Sequence, residues 1–300
     1  MRWASAILFA ALAAAQTRQV ALTFDDAPRG GDSPSGRQLT ATLTLTQELI
    51  RQLDQIPATI FANPGQAREL SEEGVDQILR LWHDSGFTLG NHTFSHADLN
   101  KIPLAEYQAE ILRAEPALRR GRGGAPSRYF RHTFLHTGSK GEIRDALTAF
   151  LTEHKLIAAP VTMDGSDWLF ARVYATWARA TADPAGFRRR YLDYLDQQIS
   201  YAEQAALALF QRPIAHILLL HVNQLNADSM PDLLALLARR GYSVIALEQA
   251  LRDPAYQSRD DYAGPEGLSW LRRWAYTRSI SLPPEPVEPA DILSAYRKQR

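Results

Sequence analysis

The chain has 300 residues, 45% of them apolar and 22% charged, enough for one large globular domain or two small ones. Lys plus Arg equals Asp plus Glu at 33 each, so no global field draws in nucleic acid or anionic lipid. There is no cysteine, which excludes disulfides and thiolate metal sites; any metal must be held by His and carboxylate.

Met1 and Arg2 open with a positive charge, residues 3–12 are apolar, and Ala13, Ala14 and Ala15 are small. That layout predicts a secretory signal peptide over 1–15, with the protein exported to a periplasm or secreted. No later segment is long and apolar enough to span a bilayer, so no membrane span is expected after signal removal. Residues 19–24 read as a buried strand, 39–53 as a helix and 58–62 as a strand. A helix over 75–83 precedes a strand at 87–90, and a helix over 104–118 precedes a strand at 128–131. Residues 143–151 are helical, 157–163 a strand, 187–210 a long helix, and 215–220 the most hydrophobic strand. A helix over 233–238, ended by Gly241, leads to a last strand at 243–247.

Strict alternation of strand and helix predicts an α/β fold with parallel strands and helices outside, and seven strands suit a barrel better than an open sheet. The reactive residues fall at the C-terminal ends of these strands: Asp25, Asp26, His92, Arg131, Asp164 and His221. A β/α barrel carries its active site on that rim. The glycine- and serine-bearing loop at 29–37 is expected to wall the substrate site. Alternation stops near Arg252. Beyond it Trp270 and Trp274 are expected to stack along one helix face, and Pro283, Pro284, Pro286 and Pro289 stiffen the stretch that follows. The expected organisation is therefore a catalytic domain over 16–252 and an appendage over 253–300 packed on it.

Asp25 and Asp26 end a buried strand, where charge is costly without a counter-ion. An isolated Asp pair is usually a turn or a helix cap. Together with His92 and His96, however, one Asp completes the ligand set of a catalytic zinc that keeps a position open for water. The other Asp stays free to accept a proton. His92 and His96 are four apart, so a helical turn would aim both imidazoles at one point. Asn91, His92 and Thr93 also spell a glycosylation sequon, which the metal reading displaces because Asn91 is expected to be buried. The other histidines, His83, His132, His136, His154 and His216, are expected to be ordinary core or surface residues. Arg131 is placed to pair with Asp25. In the segment Asp164 to Trp168 one carboxylate can orient an imidazole, and Trp168 can floor a sugar site. His221, at the end of the apolar strand, is the candidate general acid. Gly121 to Gly124 follows a helix rather than joining strand to helix, so it is a linker and not a phosphate loop.

Taken in order, these motifs resemble the polysaccharide deacetylases of carbohydrate esterase family 4, the NodB-homology domain. The resemblance is carried by Thr23-Phe24-Asp25-Asp26, by Asn91-His92-Thr93-Phe94-Ser95-His96, by Arg131-His132-Thr133-Phe134, by Asp164-Gly165-Ser166-Asp167-Trp168 and by Leu219-Leu220-His221, over about residues 20–250. It implies a distorted (β/α) barrel of seven or eight strands. It also implies zinc, or another divalent metal such as cobalt, on Asp26, His92 and His96. Asp25 would be general base and His221 general acid. Arg131 would steady Asp25, and Asp164 or Asp167 would support His221, with Asp164 nearer the strand end. The Phe134 N–H would hold the oxyanion, and Trp168 and Leu219 would face the substrate. The substrate class implied is an acetylated polysaccharide or oligosaccharide, N- or O-acetylated. The chain departs from the pattern at Thr133, where the family has proline, at Leu135, where glycine is usual, and at Ala27. Two other readings stand beside this one: a metal-dependent amidohydrolase on a small non-sugar amide, and a catalytically silent sugar binder. The complete set of base, metal ligands and acid argues against the binder.

Overall fold

The centre of the molecule is β1 (Arg18–Ala27), whose residues from Val20 onward are all buried. The computed structural model describes residues 18–32, 38–180 and 183–299. The expected signal peptide and positions 33–37 of the expected wall loop lie outside the described residues. Successive side chains of a strand point to opposite faces. Accordingly Val20, Leu22 and Phe24 meet the outer helices, while Ala21 joins Phe61, Tyr129, Ala215 and Ile217 in an inner cluster. Thr23 and Asp25 continue that inward row towards the C-terminal rim.

Helix α1 (Leu39–Leu53) packs Leu45, Leu49 and Leu53 inward and leads to β2 (Ala58–Ala62). Helix α2 (Glu72–Asp84) starts at Ser71, whose side chain accepts from the Gly74 N–H, and precedes β3 (Thr88–Asn91). Helix α3 (Leu104–Gly121) precedes β4 (Tyr129–Phe130), and α4 (Gly141–Glu153) precedes β5 (Ile157–Ala158). Then come β6 (Met163–Asp164), α5 (Asp167–Ala180), α6 (Pro184–Phe210) and β7 (Ala215–His221). The expected last helix is longer than its apolar core: α7 spans Gln224–Arg239 and is capped by Asn223. It is followed by β8 (Tyr242–Val244), the short α8 (Leu247–Ala250), α9 (Trp270–Arg278) and α10 (Ala290–Arg297).

All the strand pairings are parallel, in the order β5-β4-β3-β2-β1-β7-β6, with β8 beside the start of β1. The single strand expected over 157–163 is two short ones. Pro160 lies between them and has no N–H to give a ladder. The first piece pairs with β4 and the second with β7. Among the described residues no ladder joins β5 to β6, so the sheet curls into a barrel that is not closed by hydrogen bonds. Ile245, Leu247 and Ala250 join the inner cluster beside the start of β1, at the end of the lumen opposite the rim.

Residues beyond Arg252 pack on this barrel through α9 and α10. The two tryptophans do not stack on each other. Trp274 meets Phe210 and Tyr256 edge-on, while Trp270 stacks on His132.

Candidate active site

Neighbouring residues on a strand should face opposite ways, yet Asp25 and Asp26 reach the same place. The register of β1 against β2 slips between Phe24 and Ala27, and Asp26 has a left-handed backbone with φ 66°. This bulge turns both carboxylates towards His92: Asp25 Oδ2 and Asp26 Oδ1 are 3.6 Å and 3.7 Å from its Nε2. On the other side of β1, the ladder with β7 sets Asp25 directly beside His221.

His92 and His96 converge, but not on a helix. They lie in a loop after β3 in which Thr93 and His96 have φ 66° and 60°. Asn91 is fully buried; its side chain accepts from the Thr93 N–H and donates to the Ile111 carbonyl, which fixes the loop and leaves no room for a glycan. The His96 Nε2 to Asp26 Oδ1 distance is 3.3 Å. Ligands 2.0–2.2 Å from a tetrahedral ion are about 3.3–3.6 Å apart, so the spacing fits a divalent cation; the three ligand atoms lie within 4.8 Å of one another. The donor chemistry fits too. His92 Nδ1 is 2.8 Å from the Arg131 carbonyl, which fixes that nitrogen as the donor and leaves Nε2 with its lone pair facing the carboxylates. Burial holds the pKa of His92 well below the ordinary imidazole value and lowers that of His96. Asp26 Oδ1 is buried with no hydrogen-bond partner.

Arg131 is wholly buried inside the barrel, its guanidinium 4.8 Å from the centre of the Phe61 ring. It donates to Thr23 Oγ1 at 2.9 Å and lies 3.6 Å from Asp25 Oδ2. Burial raises the Asp25 pKa, and although Arg131 and then His221 oppose it, the value reaches about 7. His221 Nδ1 donates to Asp167 Oδ1 at 2.8 Å. Burial would lower the pKa of this imidazole, but the charge and hydrogen bond of Asp167 outweigh it and raise it to about 10.

The carboxylate on His221 is therefore Asp167 and not Asp164, the one nearer the strand end. Asp167 is fully buried and also accepts from the His221 and Asn223 groups, each at 2.9 Å, and from Asn226. Asp164 instead accepts from the Ser166 N–H and borders the cavity. Trp168 opens α5 and is 45% exposed at the cavity edge, its ring edge-on to Tyr296. Leu219 is buried in the cavity lining.

Phe134 and Leu135 form a short turn with φ 56° and 55°. Its hydrogen bonds run from Leu135 N–H to the His132 carbonyl and from His136 N–H to the Thr133 carbonyl, and do not use the Phe134 N–H. Thr133, where proline is usual in the pattern, ties the turn down in another way: its hydroxyl meets the Ala97 carbonyl and the Tyr107 hydroxyl. The Phe134 ring packs edge-on to His96 at 4.4 Å.

These groups share a cavity of about 1060 Å³. Gly30, Gly31 and Asp32 of the expected wall loop do border it, with Asp32 held by Arg29. Several lining residues lack a motif signal. His136 lines the cavity while its Nδ1 pairs with Asp98 at 2.7 Å. Gln66 lines it with a buried, unpartnered Oε1. Arg272, Glu285, Val287 and Glu288 line it from the C-terminal segment. Such residues are recognisable only once the chain is folded.

A family model described as polysaccharide deacetylase matches residues 13–146. A peptidoglycan-N-acetylglucosamine deacetylase of Bacillus cereus is 30% identical over 152 residues, which cover 50% of this chain and 46% of the relative. The chain thus spans about half the length of the curated relatives it matches. Among solved structures, a family 4 carbohydrate esterase from Streptomyces lividans in complex with acetate superposes with a TM-score of 0.50 at 20% identity, covering 78% of this chain and 95% of that one. A family 4 pseudoenzyme from Bacillus anthracis superposes with a TM-score of 0.53 at 16% identity, covering 79% of this chain and 66% of that one. The curled parallel barrel is the NodB-type (β/α) barrel of these proteins. Motif order, sequence match and fold agree: over residues 13–146 the chain is similar to polysaccharide deacetylases, and its fold is theirs.

Proposed function

We propose that this protein is a metal-dependent deacetylase that hydrolyses the N-acetyl groups of a polysaccharide or oligosaccharide outside the cytoplasm. One observation carries the reading: Asp26, His92 and His96 converge as an open ligand set, with the unligated Asp25 on one flank and the His221–Asp167 pair on the other, in one cavity. A silent binder would need no such set. Export rests on the N-terminal layout alone.

Zinc, or another divalent cation such as cobalt, held by Asp26, His92 and His96 would supply Lewis acidity towards the acetamide carbonyl and acidify water. Asp25 accepts the proton as water attacks the carbonyl carbon, and Arg131 favours the ionised form of that carboxylate against its burial. The Phe134 N–H, free of the turn's own hydrogen bonds, donates to the developing oxyanion. His221, protonated at neutral pH, gives a proton to the departing amine, and Asp167 stabilises the imidazolium before transfer. The two pKa values are pushed apart in the sense an acid–base pair requires, with the base able to be deprotonated while the acid is still charged. Both values would be lower with a cation held on Asp26, which would add positive charge nearby. The products are acetate and a free amino sugar. Trp168 offers an apolar ring for a sugar face at the cavity edge.

The test is metal analysis of the purified protein, joined to acetate release from a panel of chitin oligomers, peptidoglycan, acetylated exopolysaccharide and small amides. Sugar-dependent acetate release that needs bound metal is the expected result. Release from small amides alone would replace the substrate class, and none at all would leave a binder.

A further inference from the structure

The oxyanion turn is an unstable piece of backbone. Two consecutive non-glycine residues, Phe134 and Leu135, are left-handed, a conformation that persists only where the surroundings hold it. On one side the turn is held by Thr133, through the Tyr107 hydroxyl of α3 and the Ala97 carbonyl. On the other side it is held by a segment far along the chain, beyond the residues the family model matches.

Gly267 sits against the turn. A Cβ at this position would lie 1.9 Å from the Phe134 carbonyl oxygen, 3.0 Å from its carbonyl carbon and 3.3 Å from Leu135 Cβ. Gly267 has no positive φ, so its conformation does not demand glycine; the close approach of Phe134 does. Nor does burial demand it, since Gly267 is exposed and borders the cavity. Neighbours in the same segment clamp both flanks of the turn. Trp270 stacks on His132 with ring centres 6.4 Å apart, and its N–H bonds to the Val161 carbonyl at 2.7 Å. Arg273 donates to Thr137 Oγ1 at 2.7 Å, and its guanidinium lies 4.8 Å from the centre of the Trp270 ring. Asn100, just beyond the His96 loop, donates to the Pro265 carbonyl at 2.9 Å.

We propose that Gly267 is a positioning residue of the active site, whose missing side chain lets the C-terminal segment press on the Phe134 carbonyl and so aim the Phe134 N–H into the cavity. The appendage is then part of the catalytic apparatus. The peptide carbonyl of Phe134 and the N–H of the same residue flank one Cα, so displacing the carbonyl rotates the left-handed backbone that sets the direction of the N–H. This inference rests on the deacetylase reading.

The experiment compares full-length G267A with wild type and with G264A, a control in the same segment whose added Cβ lies nearest the Tyr262 ring and not the turn. The kcat for acetate release from an acetylated oligosaccharide should fall about tenfold or more in G267A, approaching the loss seen when one oxyanion donor is removed. Its KM and bound metal should stay within about twofold of wild type, because ground-state binding and the ligand set are untouched. The amide resonance of Phe134 should move in G267A and not in G264A. A G267A enzyme with wild-type kcat overturns the inference, as does an unmoved Phe134 amide. Loss of metal together with turnover also overturns it, because the glycine would then support the barrel and not the turn. A wild-type protein that releases no acetate sinks the deacetylase reading, and this inference with it.

Discussion

Replacing Asp167 by Asn tests the acid half of the proposed mechanism with almost no change of shape. Asp167 is fully buried, and its Oδ2 accepts from the His221 backbone and the Asn223 and Asn226 side chains, while Oδ1 takes the His221 Nδ1 proton. An Asn there keeps its one oxygen where three donors converge, and so turns its NH2 towards Nδ1. That nitrogen must then accept, so the imidazolium loses both its counter-charge and its hydrogen bond. What remains is burial, which lowers the His221 pKa, opposed only by the weaker pull of Asp26 and Asp25. The value should fall from about 10, because Asp167 supplies the largest of the effects that raise it. At pH 8 about 99% of the wild-type acid is protonated, and in the variant each pKa unit below 8 costs about tenfold in rate from protonation alone. The sign follows from the role: an acid must be protonated to act, so its pKa marks the alkaline fall of the rate. The assay is the pH profile of acetate release by metal-loaded wild type and D167N, with D164N as the contrast. The alkaline limb should move down in D167N and stay in place in D164N, whose side chain bonds only the Ser166 N–H among the described residues. An alkaline limb unchanged in D167N would refute the assignment of His221 as the acid.

Asp25→Asn should retain bound metal and lose about 10²–10⁴-fold in kcat, whereas Asp26→Ala or His92→Ala should lose both metal and turnover; metal analysis beside initial rates separates the two classes. In the wild-type pH profile the acid limb should lie at or below about 7, because Asp25 must be deprotonated to act and a bound cation only lowers its pKa; a rate flat from weakly acid to alkaline pH would count against the pair. Arg131→Met leaves the Asp25 charge buried without its cation and should move that acid limb upward, while costing about 3–5 kcal/mol of stability measured by denaturant unfolding. Trp168→Ala should raise KM for an acetylated oligosaccharide and leave KM for a small acetyl ester unchanged, if the half-exposed ring meets a sugar face beyond the acyl group.

The rim of this site was legible in the sequence because strands buried on both faces admit a carboxylate or imidazole only where they end. Asp25, His92, Arg131 and His221 stand at such ends, and their order along the chain carries the family pattern. What the sequence hid is non-local. Four-residue spacing of His92 and His96 suggests a helical turn, but the loop gets the same convergence from two left-handed residues, held by Asn91 and by bonds from Ser95 to Glu110. Six of the ten non-glycine residues with positive φ among the described residues, namely Asp26, Thr93, His96, Phe134, Leu135 and Ser166, lie at the site, where local propensity is the poorest guide. The choice between Asp164 and Asp167 turned on which carboxylate the start of α5 aims back at β7, and no helix was expected over 167–180. The C-terminal segment was hardest of all. It has no strand–helix alternation and no motif, and it takes its place only because the barrel presents a cavity edge for it to cover. Gly267 shows why such residues escape a reading of patterns: the exposed glycine resembles any loop glycine until the Phe134 carbonyl is placed against it. A residue kept small by one distant neighbour leaves no trace in its own surroundings, so the catalytic contribution of such a segment is decided by contacts and not by composition.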